Sequence, residues 1–340
     1  MKRPTQADVA RIAGVSRATV SYVLNDQVDQ RIPISAETRQ RVMEAIAELE
    51  YEPDARAQSL RRGATNTIGV LLPLYENPFF WQILRGISME AETAGYSLLL
   101  SQSSLTSEQE RHSLKELAQQ RVDGLILVIG FKMLPAPILR ELRKSNRPVA
   151  QITNTESEFD HVIDGYSEGT RALIGHLLEL GHRKIGFVYG VAEVSQGHDR
   201  LFPFQETLAD AGVPADEDLI RQCGATLDEG YETARDLLSR RDRPTALLAV
   251  NDLLAIATLR AAADLGLRVP QDVSVASFDD IPFASYTVPR LTTVAGQPEE
   301  DGRIAVRLML KRLSEPDCPR QVVRSRCKLT IRESTARAPQ

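Results

Sequence analysis

The sequence lacks the residues from which disulfide frameworks, metal centres and membrane spans are built. Its 340 residues contain three cysteines, an odd number with no CxxC spacing, which argues against a disulfide framework and a cysteine zinc site. The five histidines form no HExxH pair, and we expect neither a metal nor another cofactor. No apolar run reaches the roughly 18 residues of a membrane span, and the first residues do not resemble a secretory signal. We therefore expect a cytoplasmic protein.

The chain also lacks an overall basic excess, because its formal net charge is −5. Residues 1–25 are the exception, since they carry four cations against the single acid Asp8: Lys2, Arg3, Arg11 and Arg17. A basic segment on an otherwise acidic chain is typical of a protein that touches nucleic acid at one end. The charge pattern thus indicates a DNA contact within the first 25 residues.

The first 50 residues predict short helices. Thr5 and Asp8 have the spacing of a capping box at the start of the first helix. Gly14 is suited to ending that helix, because glycine tolerates a positive φ. Ser16 and Ser35 are positioned to cap a second and a third helix.

From residue 67 onward, apolar runs typical of strands alternate with amphipathic helices. The predicted strands are 68–72, 96–100, 125–129, 185–189, 246–250 and 273–278. Such alternation predicts mostly parallel sheets with helices on both faces. A segment of this length is long for a single sheet, so we expect two lobes.

Residues 5–25, which read TQADVARIAGVSRATVSYVLN, closely resemble the helix-turn-helix headpiece of the LacI/GalR (lactose repressor/galactose repressor) family. The residue pattern agrees, because Ala10, Val15 and Val20 would pack two helices across the turn at Gly14. The alternative is an ordinary surface αα-hairpin.

The resemblance implies that the second helix lies in the major groove of DNA. Hydroxyl groups there suit phosphate oxygens, while Arg17 can pair with guanine and Ala18 can touch a thymine methyl. Tyr22 departs from the arginine usual in the family, and the connection from Asn25 to Ser35 is longer than usual. The implied contacts are Thr5, Ser16, Arg17, Ala18, Thr19, Ser21, Tyr22 and Asn25.

Residues 51–65 resemble the family's hinge. Pro53 interrupts the preceding helix and Asp54 can cap a short new one, which is too short to be stable by itself. The resemblance implies that Ala57 and Leu60 enter the minor groove, where leucine wedges a base step open. In the alternative, Leu60 is a linker residue that packs on the adjoining lobe.

The resemblance continues over nearly the whole chain, through landmarks at 77–80, 121–126, 180–182, 251–252, 269–274, 278–280 and 291–293. It implies an all-α headpiece followed by an α/β two-lobed, periplasmic-binding-protein-like domain, with three crossings between the lobes. The implied boundaries are a headpiece at 1–50, a hinge at 51–65 and an effector and dimerisation domain at 66–340. Its N-lobe spans about 66–163 and 294–325, and its C-lobe spans about 164–293 and 326–335.

Three polar residues carry over from the family as effector contacts: Arg200, Asn251 and Asp279. Arg200 offers several N–H donors, Asn251 offers an amide and Asp279 offers an acceptor. This combination suits a ligand with several hydroxyls. The alternatives are a surface salt bridge for Arg200, a helix cap for Asn251 and a turn cap for Asp279. Aromatic residues in the other lobe offer rings for the apolar face of a sugar, or belong to the core: Tyr75, Phe79 and Phe80.

The cleft departs from the family at Phe202-Pro203-Phe204, Ser277 and Thr153-Asn154. Its effector therefore cannot be copied from a relative. A sugar or sugar derivative is the leading hypothesis, and a nucleobase-type ligand, with regulation of purine or nucleoside metabolism, is the alternative.

Gly165-Tyr166-Ser167-Glu168-Gly169 matches the GxSxG pattern of hydrolases. A hydrolase places its histidine downstream, but no histidine follows His198, so we do not expect an enzyme.

A solute receptor without DNA regulation is another alternative, against which the headpiece argues. We predict a repressor that binds pseudo-palindromic operator DNA as a homodimer, with half-sites about one helical turn apart.

Overall fold

The structure is a computed structural model that describes residues 4–24, 34–51, 64–73, 77–102, 112–117, 122–129, 136–145, 147–189, 200–224 and 226–339. It contains two compact units, Met1–Thr65 and Asn66–Gln340. The predictions for Asn25, Ala57, Leu60 and Tyr75 lie outside the described residues.

The described part of the first unit contains three helices: α1 Gln6–Ala13, α2 Arg17–Leu24 and α3 Ala36–Glu48. Thr5 and Asp8 form the predicted capping box, and Gly14 ends α1 with φ 66°. Ser16 and Ser35 accept hydrogen bonds from the backbone N–H groups three residues later, as predicted. One apolar cluster joins the helices and includes Val9, Ala10, Ala13, Val20, Val23, Val42, Ala45 and Tyr51.

Among its described residues, the second unit contains two six-stranded sheets. The first comprises β1 Thr67–Leu72, β2 Ser97–Gln102, β3 Gly124–Ile129, β4 Val149–Thr153, β5 Asp160–Ile163 and β11 Val322–Arg324. The second comprises β6 Ile185–Tyr189, β7 Ile220–Gln222, β8 Ala246–Ala249, β9 Ser274–Asp279, β10 Thr292–Ala295 and β12 Lys328–Thr330. The six predicted strands correspond to β1, β2, β3, β6, β8 and β9.

The strand order is β11-β5-β4-β3-β1-β2 in the first sheet and β12-β10-β9-β8-β6-β7 in the second. The paired strands are parallel except for β10 and β12, which pair antiparallel. Because the carboxyl ends of parallel strands meet at one edge, residues that follow different strands are brought together there.

Each sheet and its helices form one lobe. The N-lobe, built on the first sheet, contains α4 Pro78–Thr93, α5 Ala136–Lys144 and α10 Pro298–Ser314. The C-lobe, built on the second sheet, contains α6 Tyr166–Glu179, α7 Phe202–Asp210, α8 Leu227–Ser239 and α9 Asp252–Asp264. Ile68 and Val70 of β1 pack on the side of α4 and α10, whereas Leu71 packs on the side of α5. The N-lobe sheet is thus covered on both faces, as parallel sheets are.

Within the residues that the structure describes, the chain passes between the lobes three times, each time through a short segment. It leaves β5 at Ile163 and enters α6 at Tyr166, leaves β10 at Ala295 and enters α10 at Pro298, and leaves β11 at Arg324 and enters β12 at Lys328. These crossings agree in number with those that the resemblance implied.

In the N-lobe, α4 and α10 cross in close contact through two glycines. A Cβ atom added at Gly86 would lie 1.8 Å from the carbonyl oxygen of Glu299, and one added at Gly302 would lie 2.3 Å from that of Ile83. Both obstacles are backbone atoms, which cannot move aside as a side-chain end can. This crossing therefore requires glycine on both helices.

We expect Gly86→Ala to lower the free energy of unfolding by about 1–3 kcal/mol, because α4 and α10 would have to separate. Gly175 in α6 has no neighbour within 4 Å of its added Cβ. As a control, Gly175→Ala should raise stability by up to about 1 kcal/mol, the difference in helix propensity. Urea unfolding of both variants checks this, and equal stabilities would contradict the proposed crowding.

Candidate functional site

Asp279 lies at the end of β9, where the two lobes meet, and its carboxylate is buried. Tyr166 of α6 donates a hydrogen bond to Oδ1 over 3.2 Å. Asn77, which precedes α4 in the other lobe, donates from Nδ2 to Oδ2 over 3.3 Å. The carboxylate therefore joins one side chain from each lobe.

Arg200, which lies just before α7, is the fourth side chain of this group. Its Nη2 lies 3.7 Å from Oδ1 of Asp279, and its guanidinium carbon lies 4.0 Å from the centre of the Tyr166 ring. Arg200 is itself buried, so the surface salt bridge considered for it is excluded. A buried guanidinium stacked on an aromatic ring and facing a carboxylate has a fixed orientation.

Burial raises the pKa of Asp279, while Arg200, Asn77 and Tyr166 oppose that rise. Burial also raises the pKa of Tyr166 well above its usual value, and the nearby Asp279 adds to the rise. The phenol therefore keeps its proton and remains the donor in this pair. The backbone of Asp279 has φ 102°, and such strained conformations cluster at functional sites.

Asn251 follows β8 and caps α9, because its Oδ1 accepts a hydrogen bond from the backbone N–H of Leu254 over 2.9 Å. The structure thus shows the capping contact that was the alternative for this residue. Its neighbour Asp252, for which no role was predicted, is fully buried.

Asp252 holds the chain segment that contains Asp279. It accepts hydrogen bonds from the hydroxyl of Ser277, from the hydroxyl of Thr293 over 2.8 Å and from the backbone N–H of Ile281 over 2.7 Å. Ser277 and Ile281 flank Asp279 on either side, and Thr293 lies in β10. Asp252 is therefore a positioning residue for Asp279.

Phe79 and Phe80 begin α4 with an edge-to-face contact between rings whose centres lie 5.5 Å apart. Phe80 is buried in the N-lobe core, whereas Phe79 is half-buried. Both line a cavity of about 40 Å³ between the lobes, together with Asp164, Tyr166, Asp301 and Cys327. This volume has room for a few water molecules.

Two residues of this cavity were not predicted from sequence. Asp301 lies in the first turn of α10, and burial raises its pKa to about 6. Burial raises the pKa of Cys327 to about 12, so its thiol remains protonated near neutral pH. Cys327 lies in the crossing between β11 and β12, and Asp301 lies just after the crossing that leads into α10. Strand pairing, rather than local sequence, brings them to the cavity.

The glycines of the GxSxG pattern are explained by packing at the same crossings. A Cβ atom on Gly165 would lie 2.5 Å from the carbonyl oxygen of Ser325, and one on Gly169 would lie 2.4 Å from a methyl of Val294. The pattern therefore marks the start of α6 against the crossing segments, and its tyrosine, Tyr166, is the residue that contacts Asp279.

In the first unit, the implied base-contacting residues Arg17 and Ala18 are exposed at the start of α2, next to exposed Ser16. Thr19, Ser21 and Tyr22 are half-buried. The hydroxyl groups of Ser16 and Thr19 lie 2.9 Å apart, and that of Thr5 donates to Asp8 over 2.7 Å. The beginning of α2 thus presents a cation, a methyl group and a hydroxyl on one exposed surface.

The burial of Asp252 makes a testable contribution to the pH dependence of stability. Burial, reinforced by the charge of Asp279, raises the pKa of Asp252 from 3.8 to about 8. The folded chain keeps this proton up to about pH 8, whereas the unfolded chain loses it near pH 4. Stability therefore falls as pH rises between these values, by up to about 1.4 kcal/mol per pH unit.

We expect Asp252→Asn to flatten this fall between pH 7 and 8, a range above the titration of Asp301, whose pKa is about 6. Urea unfolding at pH 7, 7.5 and 8 measures the slope. Asp264→Asn, on the exposed side of α9, is the control and should keep the wild-type slope. An unchanged slope in Asp252→Asn would show that its carboxyl is ionised in the fold.

Two family models match the chain. Residues 5–54 match the bacterial regulatory proteins of the lacI family, and residues 174–335 match a periplasmic binding protein-like domain. The predicted fold class, a helix-turn-helix headpiece followed by a two-lobed α/β domain, is confirmed. No helix in the described part of the chain has the length and apolar character needed to cross a membrane.

Curated relatives and a solved structure agree with these models. The chain is 33% identical to the transcriptional repressor PurR of Photobacterium profundum, over 97% of this chain and 98% of that protein. It is 33% identical to the ribose operon repressor of Haemophilus influenzae, over 92% of this chain and 93% of that protein. It is similar to a Lac repressor dimer bound to operator and the anti-inducer ONPF, with 28% identity, a TM-score of 0.85 and coverage of 98% of this chain and 100% of that one.

These relatives are transcriptional repressors that match the chain over nearly its whole length, headpiece included. Their similarity confirms the predicted family and argues against a solute receptor without a DNA-binding unit. The chain belongs to the lacI family of bacterial regulatory proteins: it is a DNA-binding transcriptional repressor whose second unit is an effector-binding domain.

Proposed function

We propose that the effector of this repressor binds between the lobes at Asp279, and that it is a sugar or sugar derivative. The observation that supports this most directly is the buried Asp279 carboxylate, with Asn77 of the N-lobe and Tyr166 of the C-lobe as donors. A ligand hydroxyl can take the place of either donor, because it both donates and accepts hydrogen bonds.

The surrounding groups also suit a polyhydroxylated ligand. Arg200 supplies further donors beside Asp279, and Asn251 holds its amide at the carboxyl end of β8. Phe79 offers a half-buried ring on the N-lobe side, against which the apolar face of a sugar can pack. Tyr75 is assigned to the same N-lobe wall by family resemblance.

The ligands named for similar proteins also support the proposal. One is named a ribose operon repressor, and a similar structure, with a TM-score of 0.73, is that of the regulator CelR in complex with cellobiose. Relatives named PurR favour a second candidate, a nucleobase, which could stack on Phe79 and pair with Asp279 and Arg200. The two candidates differ in the ligand and share the site.

Effector binding would act on DNA through the arrangement of the lobes. The contact from Asn77 to Asp279 joins them, so a ligand that replaces it changes the free energy of lobe closure. That change would reach the hinge at residues 51–65, where Ala57 and Leu60 are proposed to enter the minor groove. A ligand that favours lobe positions with unfolded hinge helices is an inducer.

On the DNA side, we assign base readout to Arg17 and Ala18, which are exposed at the start of α2. Phosphate contacts are assigned to the hydroxyls of the same region, and Tyr22 is assigned a base or phosphate contact. The remaining assigned contacts are Thr5, Ser16, Thr19, Ser21 and Asn25.

Exposed apolar side chains of the second unit supply a surface for the homodimer. Tyr286 is 84% exposed and Val288 is 95% exposed, next to the exposed Phe283. In the N-lobe, Trp81 and Met89 are exposed on α4. We assign these side chains to the dimer surface, because apolar groups that cluster on a surface are typical of sites that bind another protein.

The effector proposal is tested by thermal shift with sugars, sugar acids, sugar phosphates and nucleobases. A ligand at 100 times its Kd should stabilise the folded protein by about 2.7 kcal/mol. Asp279→Asn should abolish this shift and the response of operator binding, while Asp264→Asn should retain both. Hits restricted to nucleobases would favour the second candidate, and a shift unaffected by Asp279→Asn would place the effector elsewhere.

The DNA proposal is tested with an operator obtained by selection from random duplexes. Arg17→Ala should cost about 1–3 kcal/mol of discrimination at one base pair. Arg11→Ala removes the same charge from the exposed side of α1 and should weaken binding to all sequences alike. Unchanged base preference in Arg17→Ala would contradict the assigned readout.

A further inference from the structure

A second cavity, unrelated to the one between the lobes, lies in the N-lobe and has a volume of about 550 Å³. It lies between the end of α5, the beginnings of β4 and β5, and the segment that links α10 to β11. Six of its described lining residues are charged, four of them arginines: Arg143, Arg147, Arg312, Arg320, Glu158 and Asp160. We call it the arginine cavity.

Arg312 and Asp160 form a rigid part of its wall. Arg312 donates from Nε to Oδ2 of Asp160 over 2.9 Å and from Nη2 to Oδ1 over 2.8 Å. The same guanidinium donates to the carbonyl oxygens of Pro316, Cys318 and Pro319. Its five N–H groups are thus used within the protein, and its charge is balanced by the buried Asp160.

The other arginines are placed nearer to solvent. Arg143 donates to Glu158 and its side chain is 60% exposed. Arg320 donates to the carbonyl oxygen of Ser157, and no ion pair joins it to an acid among the described residues of the cavity wall. With Glu158 and Asp160 set against the arginines, the described wall carries a net charge of +2.

The arginine cavity and the cavity between the lobes lie at opposite ends of the same strands. Val149 at the start of β4 lines the first, and Thr153 at its end lines the second. Asp160 at the start of β5 lines the first, and Asp164 just past its end lines the second. A rise of about 3.3 Å per residue separates the two cavities by roughly 13 Å along β4.

We propose that the arginine cavity binds a compact polyanion that carries phosphate or carboxylate groups. Guanidinium groups bind both kinds of oxyanion through paired, charge-assisted hydrogen bonds. The cavity volume falls within the roughly 300–1,000 Å³ of small-molecule sites. Arg143 and Arg320 would contact the anion, while the neutralised pair of Arg312 and Asp160 holds the wall in place.

The test is calorimetric titration of the full-length protein with pyrophosphate and, separately, with citrate, at a constant ionic strength of about 0.15 M to fix the screening of charge. Arg143→Gln/Arg320→Gln removes two cations of the arginine cavity and keeps polar side chains. Arg260→Gln/Arg268→Gln is the matched control, because it removes two exposed, ion-paired arginines from the C-lobe.

We expect saturable binding of at least one anion to the wild type and to the control. The cavity variant should bind about tenfold or more weakly, equivalent to at least about 1.4 kcal/mol. Stronger binding of pyrophosphate identifies phosphate as the preferred group, and stronger binding of citrate identifies carboxylate. Absence of saturable binding to the wild type, or equal affinities of the wild type and the cavity variant, would overturn the proposal.

Discussion

The second unit depends on the burial of one carboxylate where its lobes meet. A carboxylate removed from water is strongly destabilising unless hydrogen bonds and a counter-charge compensate for the lost hydration. Asp279 obtains this compensation from Asn77 in one lobe and from Tyr166 and Arg200 in the other. The relative positions of the lobes and the state of this carboxylate are therefore linked.

Behind Asp279, the fold contains a second buried acid whose role differs. Asp252 contacts the residues on either side of Asp279 and the hydroxyl of Thr293 in β10. One acid thus joins side chains of the two lobes, and the other holds the backbone that carries it. Such a supporting layer is what keeps a binding group in a fixed geometry.

The sequence predicted the features that are local. The capping box at Thr5 and the strands β1, β2, β3, β6, β8 and β9 follow from residue order alone, whereas the interior strands β4, β5 and β10 were not predicted. The edge strands β7, β11 and β12 have three residues each, too few for a periodic pattern. Asn77 was missed because its partner Asp279 lies 202 residues away, and a contact over that separation is fixed by strand order. Asn251 illustrates the converse, since its spacing fits a helix cap as well as a ligand contact.

The three crossings between the lobes contain only two or three residues each beyond the regular elements that they join. Three short connections side by side favour rotation of the lobes about one axis and oppose their translation or twisting. A bound molecule then needs to change only the angle about that axis, because the covalent connections already restrict the direction of movement. Repressors with different ligands could thus share one mechanical output, and the chemistry of the cleft could diverge without any change to the motion transmitted to the operator.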